Sequence, residues 1–570
     1  MKNFRKVSFG NALVKSLLFS SLLMLLATYM STVSSTLIAG RIVGNNALCA
    51  INLVSPLTGY ANFIAGMIGI GSSLIYFRYL GADNTKKANE VFSQGIVLSI
   101  ISGLLIFVIM TFGRDFYFNS LNVSQAVLNE AKIYWSFYRL FVSFLPFDFL
   151  LYELLFPDTK RIIAANIVLY VVGIGSSILL TRLYGTYGTS FGMAIGIIAC
   201  DLVLCSHFFS NNSEFKFVFH FSFKDTLEVL RVSLVDSSTY LDTSLLVAFI
   251  NRYVIIHFSE SMLPITSIMI TILDITVIFD CVGSAYAPVA EVYLGEENYK
   301  DEIDLTKYSL SIAIVLGAIF TLIFIIFAPL FPRFFNMNDP YEINLLIKLI
   351  RLFAPSLLLY SVSYMMISHY IAIRRITIAV IFEWLKAFIM PAICAFVFGN
   401  LFGFEGMWAS FIIAQIISVF GMLLVIRLIF GKERSVWILD VGEYPTFSKS
   451  YIVNSDSIIE ARNDAELFLK ENSIDNGITS KIMMTIEDMT NLIKNHNNRK
   501  VIVQYNICIR DNCIYIYERD NGKPYELSNL GSDISSFNEY VFSCVVNSFD
   551  YKQHLIVVDY NRNIFEYKYN

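Results

Sequence analysis

Twelve long apolar segments, parted by short polar turns, leave this chain few folds to choose from. They run roughly at 16–40, 47–78, 91–112, 132–156, 162–181, 187–209, 226–256, 262–292, 308–331, 343–372, 376–399 and 406–430. A helix crossing a bilayer needs about 20 mostly apolar residues, because hydrocarbon offers no partner to an unpaired backbone N–H or C=O. The expectation is a polytopic all-α membrane protein with twelve transmembrane helices in two six-helix lobes, followed by a small C-terminal cytoplasmic α+β domain. Composition agrees, since 56% of the 570 residues are hydrophobic and only 15% are charged.

The division into two lobes rests on a repeat. Tyr79-Leu80-Gly81-Ala82-Asp83-Asn84-Thr85-Lys86 returns 214 residues later as Tyr293-Leu294-Gly295-Glu296-Glu297-Asn298-Tyr299-Lys300. Each copy ends one apolar segment and precedes another. Arg139-Leu140-Phe141 against Arg351-Leu352-Phe353, and Gly185/Gly188 against Gly403/Gly406, recur near the same offset. One such pair is coincidence in biased composition. Three in register indicate a duplicated unit, as in many transporters. The predicted domains are 1–210 and 211–434 for the lobes, joined at the polar stretch Asn211–Lys224, and 435–570 for the tail.

Lysine and arginine placement sets the orientation. The N-terminus (Lys2, Arg5, Lys6) and the turns carrying Lys86/Lys87, Lys160/Arg161, Lys216/Lys224, Lys300/Lys307, Arg374/Arg375 and Lys432/Arg434 fall on one side. The opposite turns are poorer in basic residues. Both termini are therefore expected in the cytoplasm, with the chain multi-pass in the cell membrane and its first apolar run retained as a spanning helix. From Val436 on, 19 acidic and 13 basic residues give the tail a net −6, leaving +2 for the remainder of a chain totalling −4. Neither part has a nucleic-acid footprint. The eight cysteines form no Cys-x-x-Cys pair and no Cys/His spacing suits a metal, so they read as small hydrophobes.

Ala39-Gly40-Arg41-Ile42-Val43-Gly44, then Ala47-Leu48-Cys49-Ala50 and Pro56, form a first hairpin that resembles the multidrug and toxic compound extrusion (MATE) family. Gly69-Ile70-Gly71-Ser72-Ser73 leading to Leu80-Gly81 is similar to that family's second helix. Glu383-Trp384-Leu385-Lys386 with Pro391 is similar to its eleventh, where an Arg is more usual than Lys386. The resemblance spans roughly residues 12–430. It implies two lobes around a central cleft that export organic cations or other amphiphiles against Na⁺ or H⁺. The first-helix Asp common in the family falls at Ser35 here, so the usual first-lobe coupling acid is missing.

An ionisable side chain at mid-bilayer costs about 2.5–3.5 kcal/mol on insertion scales, so each one is a functional candidate. The candidates for ion coupling are Asp242, Asp274, Asp236, Asp280 and Asp201, with Asp148, Glu291 and Glu383 also present. Asp236 and Asp242 lie on the seventh segment, Asp274 and Asp280 on the antiparallel eighth. Counting from the ends puts Asp242 level with Asp274. Facing carboxylates in low dielectric bind a cation or share protons. The family resemblance also places a second-lobe acid near Asp242. Against this, each acid can be satisfied by Ser or Thr, or line a water-filled cleft. Glu291 and Glu383 read as interfacial charges near helix ends. Aromatics such as Tyr60, Phe63 and Tyr76 can line a cation-binding cleft, but read more simply as packing.

In the tail, amphipathic helices are expected at Asp456–Glu471 and Ile478–His496, and a short one near Phe537–Val546. Strands are expected at Val501–Arg510, Cys513–Tyr517, Leu555–Asp559 and Ile564–Tyr569. Glu487 and Asn491 share a helical face, and Asp520-Asn521-Gly522-Lys523-Pro524 follows. Together these resemble the GHKL ATP-binding fold, most of all the anti-sigma-factor kinases. The resemblance implies Mg²⁺ ligation by Asn491, a base in Glu487, adenine recognition by Asp520 and close backbone approach at Gly522. Pro524 replaces the last Gly of that box, and Gly531 is the only Gly from Tyr525 onward. Phosphates need presented backbone N–H groups, so a degenerate, regulatory copy is expected, with ATP/Mg²⁺ at the tail an open question.

The leading function is secondary active efflux, antiport of amphiphilic or cationic small molecules against Na⁺ or H⁺, with no cofactor required and no enzymatic step. A cytoplasmic regulatory protein is a candidate partner of the tail. Two alternatives stand beside it. One is a flippase for lipid-linked or polysaccharide precursors. The other is a transporter-like membrane sensor signalling through the tail. No Gly-x-x-x-x-Gly-Lys-Ser/Thr loop is present, so an ATP-driven pump has no support.

Overall fold

The structure, a computed structural model, describes residues 8–81, 84–121, 123–155, 158–209, 215–218, 222–430, 444–510, 512–525, 548–555 and 559–568. Its first half contains α1 (Phe9–Ile42), α2 (Asn45–Val54), α3 (Pro56–Gly81), α4 (Thr85–Phe112), α5 (Arg114–Ser120), α6 (Gln125–Leu154), α7 (Thr159–Val168), α8 (Gly175–Tyr184) and α9 (Thr186–Cys205). The second contains α10 (Phe223–His257), α11 (Leu263–Leu273), α12 (Asp280–Gly295), α13 (Tyr299–Phe327), α14 (Phe331–Phe334), α15 (Pro340–Phe353), α16 (Ser356–Ala372), α17 (Ile376–Trp384) and α18 (Met390–Phe430).

Among the described residues, eight helices are long and apolar enough to cross a membrane, or nine if the pair Pro340–Phe353 and Ser356–Ala372, bent by 41°, is one span. The chain is a multi-pass membrane protein. The number is below the expected twelve for identifiable reasons. Ile376–Phe430 runs as one stretch although Gly403 breaks its helical geometry. In α6, Arg139 and Asp148 sit among the apolar residues.

The duplication reappears in the backbone. In both copies of the repeated stretch the Tyr carbonyl accepts from the Asn N–H five residues on, Tyr79 from Asn84 and Tyr293 from Asn298, each at 2.9 Å. Both asparagines then cap a helix, their side chains accepting from Lys87 N–H and Asp301 N–H. The paired glycines match too. Gly185 has φ 62° and ψ −146°, and Gly403 has φ 69° and ψ −160°. That region is open almost only to glycine. It reverses the chain so tightly that a Cβ at Gly188 would stand 2.1 Å from the Leu180 backbone, and one at Gly406 would stand 2.6 Å from the Phe398 carbonyl. Each hairpin is preceded by a π-helical turn, Leu169–Ile174 and Leu385–Ile389.

One helix belongs to both halves. The start of α1 packs Phe9, Leu13, Val14 and Leu17 on Cys281, Val282, Tyr286 and Tyr293 of α12. Its end packs Ala39 with Ala47, Ala50 and Ala61 of α2 and α3. Tyr29, midway, donates to the Thr271 carbonyl at 2.9 Å.

The tail consists of β1 (Thr446–Ile452), α19 (Ser455–Glu471), α20 (Asn476–His496), β2 (Ile502–Arg510), β3 (Cys513–Asp520), β4 (Ser548–Leu555) and β5 (Asp559–Lys568). The five strands form an antiparallel sheet in the order β1-β2-β3-β5-β4. Alternation splits its residues between two faces. Val503, Tyr505, Ile507, Ile514, Ile516, Phe565 and Tyr567 pack with Ala465, Ile482, Ile486, Met489 and Ile493 of α19 and α20 in one apolar core. The other face carries Ser448, Gln504, Asn506, Arg519 and Arg562 and lies against the α12–α13 turn. Both expected tail helices form. Of the strand expected at Leu555–Asp559, residues 556–558 lie outside the described residues, with Leu555 ending β4 and Asp559 opening β5; β1 is an additional strand. The expected helix near Phe537–Val546 and Gly531 lie outside the described residues.

Candidate functional site

Four helical elements of the second half bring ionisable groups together. Asp242 on α10 is fully buried, and its Oδ1 accepts from the N–H and, at 3.1 Å, the hydroxyl of Thr243. Its charged neighbours are Glu383 and Lys386. Lys386 Nζ sits 2.9 Å from Glu383 Oε1 and 3.4 Å above the Tyr364 ring of α16. Asp280, opening α12, shares the same neighbours and accepts from Ser284 at 3.1 Å.

Local geometry explains why Lys386 points inward. The π-helical turn at Leu385–Ile389 frees backbone carbonyls, and two side chains of α18 take them up. Gln415 donates to the Lys386 carbonyl at 3.0 Å and Ser418 to the Leu385 carbonyl at 3.2 Å. A π-bulge shifts the helix face by one residue and recurs at functional sites. Glu383, expected at an interface, is instead 9% exposed and held by Lys386. The i,i+3 spacing of Glu383 and Lys386 was the signal that sequence reading left unused.

The expected Asp242/Asp274 pairing is replaced by a different arrangement. Asp280, not Asp274, joins the Asp242 group. Asp274 stands beside Tyr29 of α1. Asp236 lies on α10, but its side chain is outside those described. Glu291 is exposed. In the first half, Asp201 on α9 is 4% exposed and lies against Asp148 of α6, to which the Cys200 thiol donates at 3.7 Å. Two carboxyls in contact can share one proton or one cation. Ser35 is buried in α1 at 5% exposure.

In the tail, Asp520 is buried and surrounded by its own chain. It accepts from the Gly522 N–H at 2.6 Å, Asn561 Nδ2 at 3.0 Å and Tyr525 OH at 3.1 Å. A Cβ at Gly522 would stand 2.5 Å from both Asn497 Nδ2 and Asp520 Oδ1, so the chain itself packs closely there. Burial pushes the Asp520 carboxyl up from its ordinary 3.8 to about 6, while the Gly522, Asn561 and Tyr525 hydrogen bonds pull the other way. Glu518 is pushed well up by burial and then by Asp520. Glu487 pairs with Arg462 at 3.3 Å, and Asn491 is half-buried on the same helix. Among the described residues no group of three His, Cys, Asp or Glu is arranged to hold a metal.

Residues 20–179 match the MatE family model. The fold is that of solved MATE transporters. An inward-facing multidrug-resistance MATE transporter of the MOP superfamily superposes with a TM-score of 0.63 at 20% identity, covering 70% of this chain and 93% of that one. A MOP-superfamily transporter from Pyrococcus furiosus, described as having a binding pocket of reversed polarity, gives 0.60 at 19%, covering 75% and 98%. A MATE protein in complex with MaL6 gives 0.57 at 19%, covering 74% and 98%. No curated protein matches the sequence significantly. The family model thus covers residues 20–179, and the fold over about three-quarters of the chain is that of solved MATE transporters.

Proposed function

We propose that the chain is an ion-coupled exporter of organic cations or other amphiphiles, driven by Na⁺ or H⁺ and regulated by its tail. The observation that carries this is the Asp242/Asp280/Glu383/Lys386 group. Three acids and one base brought together among α10, α12, α16 and α17 are two positive charges short of neutrality. Protons, Na⁺ or a cationic substrate supply that charge, and competition among them is antiport. Asp201 with Asp148 is a second candidate coupling site.

The same reading takes twelve spans in two lobes, 1–210 and 211–434. It counts α1 and α6 as spans and divides Ile376–Phe430 at Gly403. The termini and the 435–570 tail are cytoplasmic and the membrane is the cell membrane. The tail reads as a degenerate nucleotide-binding fold. Asn561 and Tyr525 already fill the Asp520 acceptors that an adenine amino group would use.

The test is uptake of ethidium into proteoliposomes under an imposed pH or Na⁺ gradient, for wild type and Asp242→Asn. Gradient-driven transport that disappears in the variant is expected. Wild-type transport indifferent to any gradient would overturn the proposal.

A further inference from the structure

The sheet face turned toward the membrane part is polar, yet buried. Gln504, Asn506 and Arg519 on it are 2% exposed or less. They close on the α12–α13 turn. Glu296 receives Arg519 through Oε2 and Arg562 through Oε1, the latter at 2.7 and 2.9 Å. Arg510 meets Glu297 at 2.9 Å, and Gln504 and Ser448 both donate to Asp301.

This is the repeated stretch, and the copies differ where the tail binds. Ala82-Asp83 stands in the first half where Glu296-Glu297 stands in the second. The shared Tyr and Asn build the turn in both, so the Glu pair is not needed to form it. Glu296, fully enclosed, serves the two arginines.

The same sheet face also holds α1. Ser450 Oγ accepts from the Phe9 N–H at 3.0 Å, and Tyr560 meets the Phe9 ring edge-on at 5.8 Å. The far end of α1 belongs to the first half, so one sheet grips pieces of both halves. A permanent interface of this kind is ordinarily apolar. Here the acidic turn and the polar strand face can both stand in water when apart, and charge pairing joins them.

We propose that the tail sheet is a detachable clamp on transport. Docked, it pins the start of α1 to the α12–α13 turn and stops one half rocking against the other; released, it permits turnover. This rests on the transport reading, and the test separates the two. Cys508 supplies a reporter, being 2% exposed with its thiol 3.9 Å from Glu297 Oε2. Maleimide labelling of the full chain in proteoliposomes, read at Cys508 by peptide mass spectrometry, should be at least about tenfold faster in Glu296→Gln than in wild type, since removing one partner leaves buried charges unpaired. In a second arm, oxidation of Asp301→Cys/Ser448→Cys should reduce gradient-driven ethidium uptake to the liposome background, and dithiothreitol should restore it. The single-cysteine variants, oxidised alike, should be unaffected. Equal Cys508 labelling in wild type and Glu296→Gln, or undiminished uptake by the cross-linked protein, would overturn the clamp. If neither the wild type nor Glu296→Gln transports, the transport reading fails and with it the clamp's action on turnover; the labelling arm still decides whether the sheet docks.

Discussion

Replacing Lys386 by Met removes the only base from the enclosed acidic group and keeps most of the side chain's volume. The Lys386 side chain is 1% exposed and its Nζ lies 2.9 Å from Glu383, so no water replaces it. Breaking a buried pair by deleting one partner costs about 3–5 kcal/mol, because the remaining charge stays buried and unpaired. The cation–π contact with Tyr364 adds about 2 kcal/mol when desolvated, part of it already within the first figure. A loss of roughly 4 kcal/mol is therefore expected, read as a lower melting temperature in detergent. The loss should be conditional. With Lys386 gone, Asp242, Asp280 and Glu383 bind an external cation more tightly, and ligand at 100 times its Kd returns about 2.7 kcal/mol. Melting of Lys386→Met should therefore rise on acidification or with added Na⁺ more steeply than that of wild type, and whichever agent acts identifies the coupling ion. Glu383→Gln/Lys386→Met should recover most of the loss, since removing both members of a buried pair is often nearly neutral. A Lys386→Met protein that melts like wild type under all conditions would refute the reasoning, as would a double variant as unstable as the single one.

Further outcomes follow from the same structure. Gly185→Ala and Gly403→Ala should each cost about 1–3 kcal/mol of strain, measured as melting temperature, while Gly421→Ala, whose new methyl meets nothing nearer than 4.0 Å, should be neutral or slightly stabilising. Asn84→Ala and Asn298→Ala should cost similar amounts, about 1 kcal/mol each, as equivalent N-caps; markedly unequal losses in thermal melts would count against the duplication. In the tail, Asp520 binds its proton more tightly folded than unfolded, so its contribution is full below pH 3.8 and is lost as pH rises to about 6. Hydrogen exchange of β3 amides in the full chain should therefore quicken between pH 4 and 6 beyond its intrinsic base dependence, and Asp520→Asn should remove that excess.

The apolar runs and the reversing glycines were legible because hydropathy and glycine-only backbone are local properties. Glu383 was misplaced for the opposite reason. Its burial depends on Tyr364 from another helix and on a π-helical turn that rotates Lys386 inward, and neither is written in residues 376–399. Ranking Asp274 with Asp242 failed similarly, since equal depth on two helices says nothing about azimuth. β1 was missed because Phe447, Lys449 and Tyr451 alternate with serines, a weak pattern beside an apolar chain. Its serines gain meaning only from Asp301 and Phe9, which lie over 140 residues away in sequence.

That last point bears on how the tail's sheet should be understood. Period-two alternation with Gln504, Asn506, Arg519 and Arg562 on one face ordinarily signifies a sheet with one side in water. Charge of that density stays buried only against a matched opposite surface, since each unpaired guanidinium would cost several kcal/mol. Burial pulls Arg519 down to about 10, which leaves it charged at neutral pH, so its partner must be an acid. The duplicated turn could have offered that acid in either half, but Ala82 cannot pair with an arginine. The tail is therefore specified to the second-half turn by divergence within the repeat, above all at Ala82 against Glu296. Glu296→Ala, which makes the second turn resemble the first, should leave the turn intact and the sheet without its anchor.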